Sequence, residues 1–118
     1  EIIALALAQK KLGSYDLGRH DFPAHELVTS TEPCAMCLGA IPWSGVRRVI
    51  SGARDSDARD IGFDEGPKIK NWVNALKKRS ITVERDVLRD EAIVVLKKYS
   101  TSGGIIYNPG NHSKPAQD

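Results

Sequence analysis

The sequence of 118 residues predicts an α/β fold, a layered sandwich in which helices cover a largely parallel sheet. Two observations predict it. Short runs rich in β-branched residues, which are typical of strands, alternate along the chain with longer segments whose apolar residues recur at helical spacing. Glycine and proline stand at most of the junctions between them. Because strands that alternate with helices usually build a parallel sheet covered by those helices, we expect a layered α/β domain.

The first half of the chain predicts two helices separated by one strand. Apolar residues set among alanines predict a helix from the first residue to Gly13, where a glycine is typical of a helix end. The β-branched run in 25–31 predicts a strand. A proline and a cysteine then mark the start of a second helix over 34–43, which Pro42 should bend or end.

The second half predicts two strands and two helices. Apolar residues in 45–53 predict the second strand, and the polar, glycine-punctuated segment 54–67 predicts a loop with one helical turn. Helical spacing of apolar residues predicts a helix within 68–80, and 81–83 predicts a short third strand. A last helix is predicted over about 88–102, ahead of a Gly-Gly pair.

Composition and charge narrow the function classes. With 41% hydrophobic residues, the chain is expected to form a single domain over 1–118. The balance of 17 basic and 15 acidic residues does not favour a polyanion partner such as nucleic acid. The sequence shows neither the roughly 20-residue apolar run of a membrane span nor a secretory leader, so a cytoplasmic location is expected.

Both cysteines lie in one C-x-x-C motif at the predicted start of the second helix. A helix N-terminus favours anionic sulfur, so Cys34 and Cys37 suit a redox pair or half of a zinc site, and two buried thiols are the third possibility. A catalytic zinc needs three protein ligands and an open position. The three histidines do not supply an obvious one, because His20 and His25 lie in a loop and His112 lies in the polar tail. We expect all three imidazoles to be solvated.

A known signature relates the cysteines to the first residue. Pro33, Cys34 and Cys37 match the P-C-x-x-C half of the zinc deaminase signature, and Glu1 matches the acid of its H-x-E half. The chain therefore resembles the cytidine deaminase superfamily. The segments "GFDEG" (62–66) and "GGIIYN" (103–108) make it most similar to the bacterial guanine deaminases of that fold. The resemblance implies a three-layer α-β-α sandwich with a mixed sheet.

The resemblance also implies roles for individual residues. Cys34 and Cys37 are expected to bind Zn²⁺ as thiolates, and Glu1 to carry a proton from water to a ring nitrogen and assist the departure of ammonia. Glu65 is expected to shuttle protons near the departing amine, although its neighbour Asp64 competes for that role. The expected reaction is hydrolysis of guanine to xanthine and ammonia.

Three further residues are expected to contact the substrate. Glu32 is expected to face it through its backbone, and Trp43 either to stack on the base or to close the helix against the core. Tyr107 resembles the residue that such enzymes place over a neighbouring subunit's pocket in a homodimer with a swapped C-terminal segment. The chain beyond Tyr107 is expected to be a loop.

Other functions stay open at this level. A tRNA adenosine deaminase, a deaminase of another amino-substituted heterocycle and a non-catalytic zinc-stabilised interaction domain all share the cysteine motif. The basic clusters around 77–78 and 97–98 fall on the polar sides of predicted helices and are interpreted as solvated surfaces. The signature's histidine would precede Glu1 by two residues, so we expect that upstream strands and this ligand are missing, and that the chain alone has little activity.

Overall fold

The computed structural model describes residues 1–109 of the chain. Five helices and three strands follow one another in these residues: α1 (Ile2–Leu12), β1 (Glu26–Thr31), α2 (Ala35–Ser44), β2 (Arg48–Ala53), α3 (Asp55–Asp60), α4 (Trp72–Lys77), β3 (Thr82–Glu84) and α5 (Arg89–Thr101). No helix in this described part has the length and apolar character that crossing a membrane requires. His112 lies outside the described residues.

The three strands form one sheet in the order β1-β2-β3, and both strand pairs are parallel. Leu27, Val49 and Val83 occupy equivalent positions on the three strands, so they share one face of the sheet. The alternation of strands and helices predicted this parallel pairing. The mixed sheet that the resemblance implies would need an antiparallel pair, and residues 1–109 contain none.

The main core lies on the face of the sheet that carries Leu27 and Val49. Both side chains are buried there against α1, α2 and α4. The buried members of this cluster are Leu5, Leu17, Leu27, Leu38, Ile41, Val46, Val49, Trp72, Leu76 and Ile81. Apolar residues at helical spacing thus meet the inward-facing residues of the strands, as the sequence pattern predicts.

Helix α5 packs on the opposite face of the sheet, which makes the fold a three-layer α-β-α sandwich as predicted. The approach is close at Gly52, where an added Cβ would lie 3.1 Å from Ala92 Cβ and 2.7 Å from the Ser30 carbonyl oxygen. The face is less completely covered over β1, where Val28 remains 70% exposed. Within the described residues β1 pairs with β2 alone, so its other edge is open.

One predicted boundary differs from the structure. The helix predicted within 68–80 begins only at Trp72, and Ile69 lies before it with 61% of its surface exposed. The helical turn predicted within the loop 54–67 is α3, which begins where the Asp57 carboxylate accepts a bond from the Arg54 backbone N–H at 2.7 Å. Helix α2 continues past Pro42 to Ser44 and ends at Gly45, whose φ of 88° is left-handed.

Candidate active site

A cavity of about 320 Å³ lies where β1 ends and α2 begins. Its lining comes from the start of α1, the end of β1, the start of α2, α3 and the loop after it, and α5: Glu1, Thr29, Ser30, Thr31, Glu32, Cys34, Ala58, Phe63, Glu65 and Leu96. Crevices at the carboxyl ends of parallel strands are the usual ligand sites of α/β folds. The structure thus brings Glu1, Cys34 and Glu65 together, although they are far apart in sequence.

Both cysteines lie at the start of α2, as predicted. Cys34 has extended backbone angles and is the N-cap residue, and Cys37 follows in the first turn with 5% of its surface exposed. Neither forms a disulfide. Burial raises the pKa of the Cys37 thiol, and the charges of Glu1 and Cys34 raise it further, while the Ile2 backbone amide opposes them. A divalent cation would reverse this balance by favouring the thiolate.

The two sulfurs fit part of a zinc ligand set. They are soft donors on one helix turn, in the spacing that zinc sites use. Among residues 1–109, however, no group of three histidine, cysteine, aspartate or glutamate side chains could hold a metal ion. Neither His20 nor His25 lines the cavity or forms such a group with the cysteines, so neither completes the site. A further ligand would have to come from residues that the structure does not describe.

A threonine on β1 positions the Glu1 carboxylate. Thr29 Oγ1 donates to Glu1 Oε1 at 3.0 Å and lies 2.8 Å from the carbonyl oxygen of Thr31. Thr29 shares the sheet face of Leu27, so its hydroxyl points toward α1. Glu1 precedes the first helical residue, and its carbonyl oxygen accepts from the Leu5 backbone N–H at 2.9 Å. The carboxylate is therefore held at the cavity by a helix start and a strand.

The loop after α3 brings Glu65 to the cavity and leaves Asp64 outside it. Glu65 is half-buried and lines the cavity. Asp64 is exposed, and its Oδ1 accepts a bond from the Gly66 backbone N–H at 2.8 Å. The Glu65 carbonyl oxygen accepts from Ala35 N at 2.8 Å, which joins the loop to the start of α2. Gly66 has a φ of +80°, and a Cβ there would lie 2.9 Å from Ala35 Cβ, so this contact requires glycine.

The Glu65 carboxyl is poised to hold a proton. Its pKa is raised above the ordinary value, chiefly because burial disfavours the charged form, and the negative charge of Asp55 adds to this. Lys68 and Arg59 oppose the shift. A group whose pKa is displaced by burial in a cleft is typical of a residue that transfers protons.

Replacement of this carboxyl by an amide should stabilise the fold at neutral pH. Because the folded-state pKa of Glu65 lies above the unfolded value, its ionisation costs stability as the pH rises through the folded-state pKa. Glu65→Gln should therefore raise the unfolding midpoint at pH 7, and this gain should shrink as the pH falls to about 4, where the acid is mostly protonated in both states. Thermal unfolding at a series of pH values measures it.

The matched control for this prediction is Asp64→Asn, because that carboxylate is exposed and an asparagine oxygen can still accept from Gly66. We expect a much smaller gain from it at pH 7. A Glu65→Gln gain of equal size at pH 7 and pH 4, or a loss at pH 7, would contradict the prediction.

Glu32 has a structural role that the sequence did not reveal. Its side chain is almost completely buried, and its Oε2 accepts from Arg85 Nε at 2.6 Å. Its Oε1 accepts from the Asp55 backbone N–H at 2.9 Å. The carboxylate thus joins the end of β1 to α3 and to the segment after β3, while the residue still borders the cavity. No local signal could identify Arg85, which lies 53 residues away in sequence.

The structure does not bring Trp43 to the cavity. Cys34 and Trp43 lie at opposite ends of α2, about 14 Å apart at the usual rise per residue. Trp43 is 79% exposed and lines a separate groove with Ile2 and Ala40, so neither the stacking nor the core role within one chain is correct. The aromatic residue that does line the cavity is Phe63, whose ring stacks on Tyr99 with centroids 6.4 Å apart. The sequence signal that could have identified Phe63 is its position two residues before Glu65 in the "GFDEG" segment.

Tyr107 does not line the cavity of its own chain either. Its side chain is 66% exposed. The next residue, Asn108, contacts the loop that carries Glu65, with its Nδ2 donating to the Gly62 carbonyl oxygen at 2.7 Å. The C-terminal segment therefore lies near the site and leaves the Tyr107 ring outside it.

No protein-family model matches the chain. Curated relatives do match, among them guanine deaminase of Bacillus subtilis, 38% identical over 69% of this chain and 49% of its own length, and a probable cytosine deaminase of Schizosaccharomyces pombe, 36% identical over 72% and 56%. The chain spans about half the length of these curated relatives.

Solved structures extend the likeness to three dimensions. A structure of guanine deaminase from Nitrosomonas europaea is similar to 85% of this chain, with 52% identity and a TM-score of 0.83, and the match covers 55% of that protein. Another similar structure, with the same identity and TM-score, holds 8-azaguanine. The fold, the site and these relatives agree: the chain belongs to the cytidine deaminase superfamily.

Proposed function

We propose that this chain forms the catalytic part of a zinc-dependent aminohydrolase that converts guanine to xanthine and ammonia. The observation that carries the proposal is the meeting of Glu1, Cys34 and Glu65 at one cavity. Relatives named guanine deaminase and a similar structure with bound 8-azaguanine support guanine as the substrate.

Cys34 and Cys37 would hold the zinc ion. When bound, zinc supplies a hydroxide nucleophile at neutral pH, because it lowers the pKa of water from 15.7 to about 7. The superfamily signature places a histidine two positions before the catalytic glutamate, and we propose that residue as a further ligand. The thiols suit the ion because Cys37 is buried, beside Cys34, and forms no disulfide.

The two glutamates would move the protons of the reaction. Glu1, held by Thr29, takes a proton from the attacking water and delivers it to a ring nitrogen of guanine. The water oxygen bonds to C2, the bond from C2 to the exocyclic nitrogen breaks, and the nitrogen leaves as ammonia. Glu65, whose raised pKa lets it hold a proton closer to neutral pH, supplies a proton to the departing amine and regains one from the C2 hydroxyl, whose oxygen becomes the C2 carbonyl of xanthine.

The size and charge of the cavity favour a free base over a nucleic acid. Its volume of about 320 Å³ is at the small end of the range for ligand sites, roughly 300–1,000 Å³. The described residues that line it include no lysine or arginine. Because no basic side chain there could bind phosphates, a tRNA substrate is the weaker alternative.

We propose further that the protein is a cytoplasmic homodimer. The exposed Tyr107 ring supports a role over the pocket of a second subunit. Because Ile106 and Asn108 contact the loop of their own chain, the described residues give no support to a swap of this segment.

Ammonia release by the full-length, zinc-loaded protein tests the substrate. Guanine, adenine, cytosine, cytidine and tRNA are compared at equal concentration, and we expect guanine to react fastest. If another base reacted faster, the proposal of guanine as the substrate would fail, but the proposed reaction type would stand. If zinc binds in a one-to-one ratio and no base releases ammonia, the chain would be a non-catalytic zinc-stabilised domain.

A further inference from the structure

We propose that Asn108 is a positioning residue, which fixes the catalytic loop by binding it on the N-terminal side of Glu65. This inference rests on the proposed function of Glu65 as a proton shuttle. It assigns a task to a side chain in the C-terminal segment that neither lines the cavity nor carries a charge.

The two ends of the Asn108 amide bind two different points of the loop. Its Nδ2 donates to the Gly62 carbonyl oxygen at 2.7 Å, and its Oδ1 accepts from the Asp64 backbone N–H at 2.7 Å. A carboxamide is one of the few side-chain groups with a donor and an acceptor side by side, so it can satisfy both groups at once. An ionised aspartate could keep the second bond but not the first.

These bonds complete the fixation of the loop. After the Glu65 side chain, Arg59 Nη2 donates to the Gly66 carbonyl oxygen at 2.9 Å, and the Glu65 carbonyl itself is bound by Ala35 N. Before it, Asn108 supplies the bonds to Gly62 and Asp64. Glycines at both ends of this loop leave its backbone many alternative conformations, so its geometry depends on such anchors.

The C-terminal segment is itself held in place by other contacts, so Asn108 can fix the position of the loop that it binds. Tyr99 donates its hydroxyl proton to the Ile105 carbonyl oxygen at 2.6 Å. Ile106 packs over Gly62, where an added Cβ would lie 3.7 Å from Ile106 Cδ1. The segment is thus held to α5 on one side and to the catalytic loop on the other. Through its two bonds to the loop, Asn108 helps to fix the position of Glu65.

The test compares Asn108→Ala and Asn108→Asp in the full-length, zinc-loaded protein. We expect Asn108→Ala to lower kcat for guanine about 10- to 100-fold, because a misplacement of about 1 Å can cost about 10²-fold in rate. KM should change less than about twofold. Asn108→Asp should also lower kcat, because it loses the bond to Gly62. Amide hydrogen exchange of residues 61–66 should accelerate in both variants.

Asn74→Ala is the matched control, because Asn74 is exposed on α4 away from the loop. It should leave kcat and the exchange of residues 61–66 unchanged. Unchanged kcat and exchange in Asn108→Ala would overturn the positioning role, and so would a lower kcat that the control reproduces. If the parent protein releases no ammonia from guanine, the proposed function fails, and the exchange of 61–66 still decides whether Asn108 holds the loop.

Discussion

Replacing Glu1 with glutamine should lower kcat for guanine by about 10²- to 10⁴-fold, the range expected for the loss of a general acid–base group. The amide keeps the size of the side chain and can still accept the bond from Thr29, so the cavity keeps its shape. It cannot take a proton from water. Because the loss falls on the chemical step, KM should change far less than kcat.

Steady-state ammonia release, together with the zinc content, measures this prediction. Zinc should remain bound in Glu1→Gln, since Glu1 is proposed as a proton carrier and not as a ligand. Glu91→Gln, an exposed glutamate on α5, serves as the control and should keep full activity. Activity within tenfold of the parent protein would show that another group carries the proton.

Replacing either cysteine with serine should remove both zinc and activity. A serine hydroxyl is a much weaker ligand than a thiolate, and zinc affinity depends on the complete donor set. We expect metal analysis to fall from about one zinc per chain to near zero, and ammonia release to fall below detection. Cys37→Ser should also lower the unfolding midpoint, because its hydroxyl would be buried where the thiol has only 5% exposure.

Met36→Ala provides the control within the same motif. Met36 lies between the two cysteines with 69% of its surface exposed, so its loss should change neither zinc content nor activity. A Cys34→Ser variant that keeps its zinc and its rate would show that the metal is held elsewhere.

The parts of the site that follow from local signals could be predicted. A cysteine after a proline marks a helix start, and Cys34 is indeed the N-cap residue of α2. Gly13 ends α1 in the left-handed conformation, with a φ of 65°, as a glycine at a helix end does. The parallel order of β1 and β2 follows from the helix between them. These features depend on residues close together in the chain.

The parts that depend on tertiary contacts could not be predicted. Asp64 and Glu65 have the same chemistry at adjacent positions, and only the folded loop shows that Glu65 lines the cavity while Asp64 binds the Gly66 backbone N–H. The pairing of Glu32 with Arg85 joins distant segments and has no periodic signal. The role of Trp43 could not be predicted either, because it lies near the end of α2, nine positions after Cys34 and six after Cys37.

The start of α4 was misjudged for a different reason. Ile69 and Trp72 fit one helical face, but the helix begins only at Trp72. Lys68, before the helix, instead lies 3.2 Å from Asp55 and over the Trp72 ring. The periodic pattern carries no signal of these contacts to another element.

The open edge of β1 has a practical consequence for handling the 118-residue chain. An unpaired strand edge presents a row of backbone donors and acceptors with which another polypeptide strand can pair. The exposed Val28 side chain adds apolar surface beside this edge. Concentrated preparations of this chain should therefore tend to aggregate through pairing of β1 strands from different molecules. A charged residue at position 28 is a direct way to reduce this aggregation.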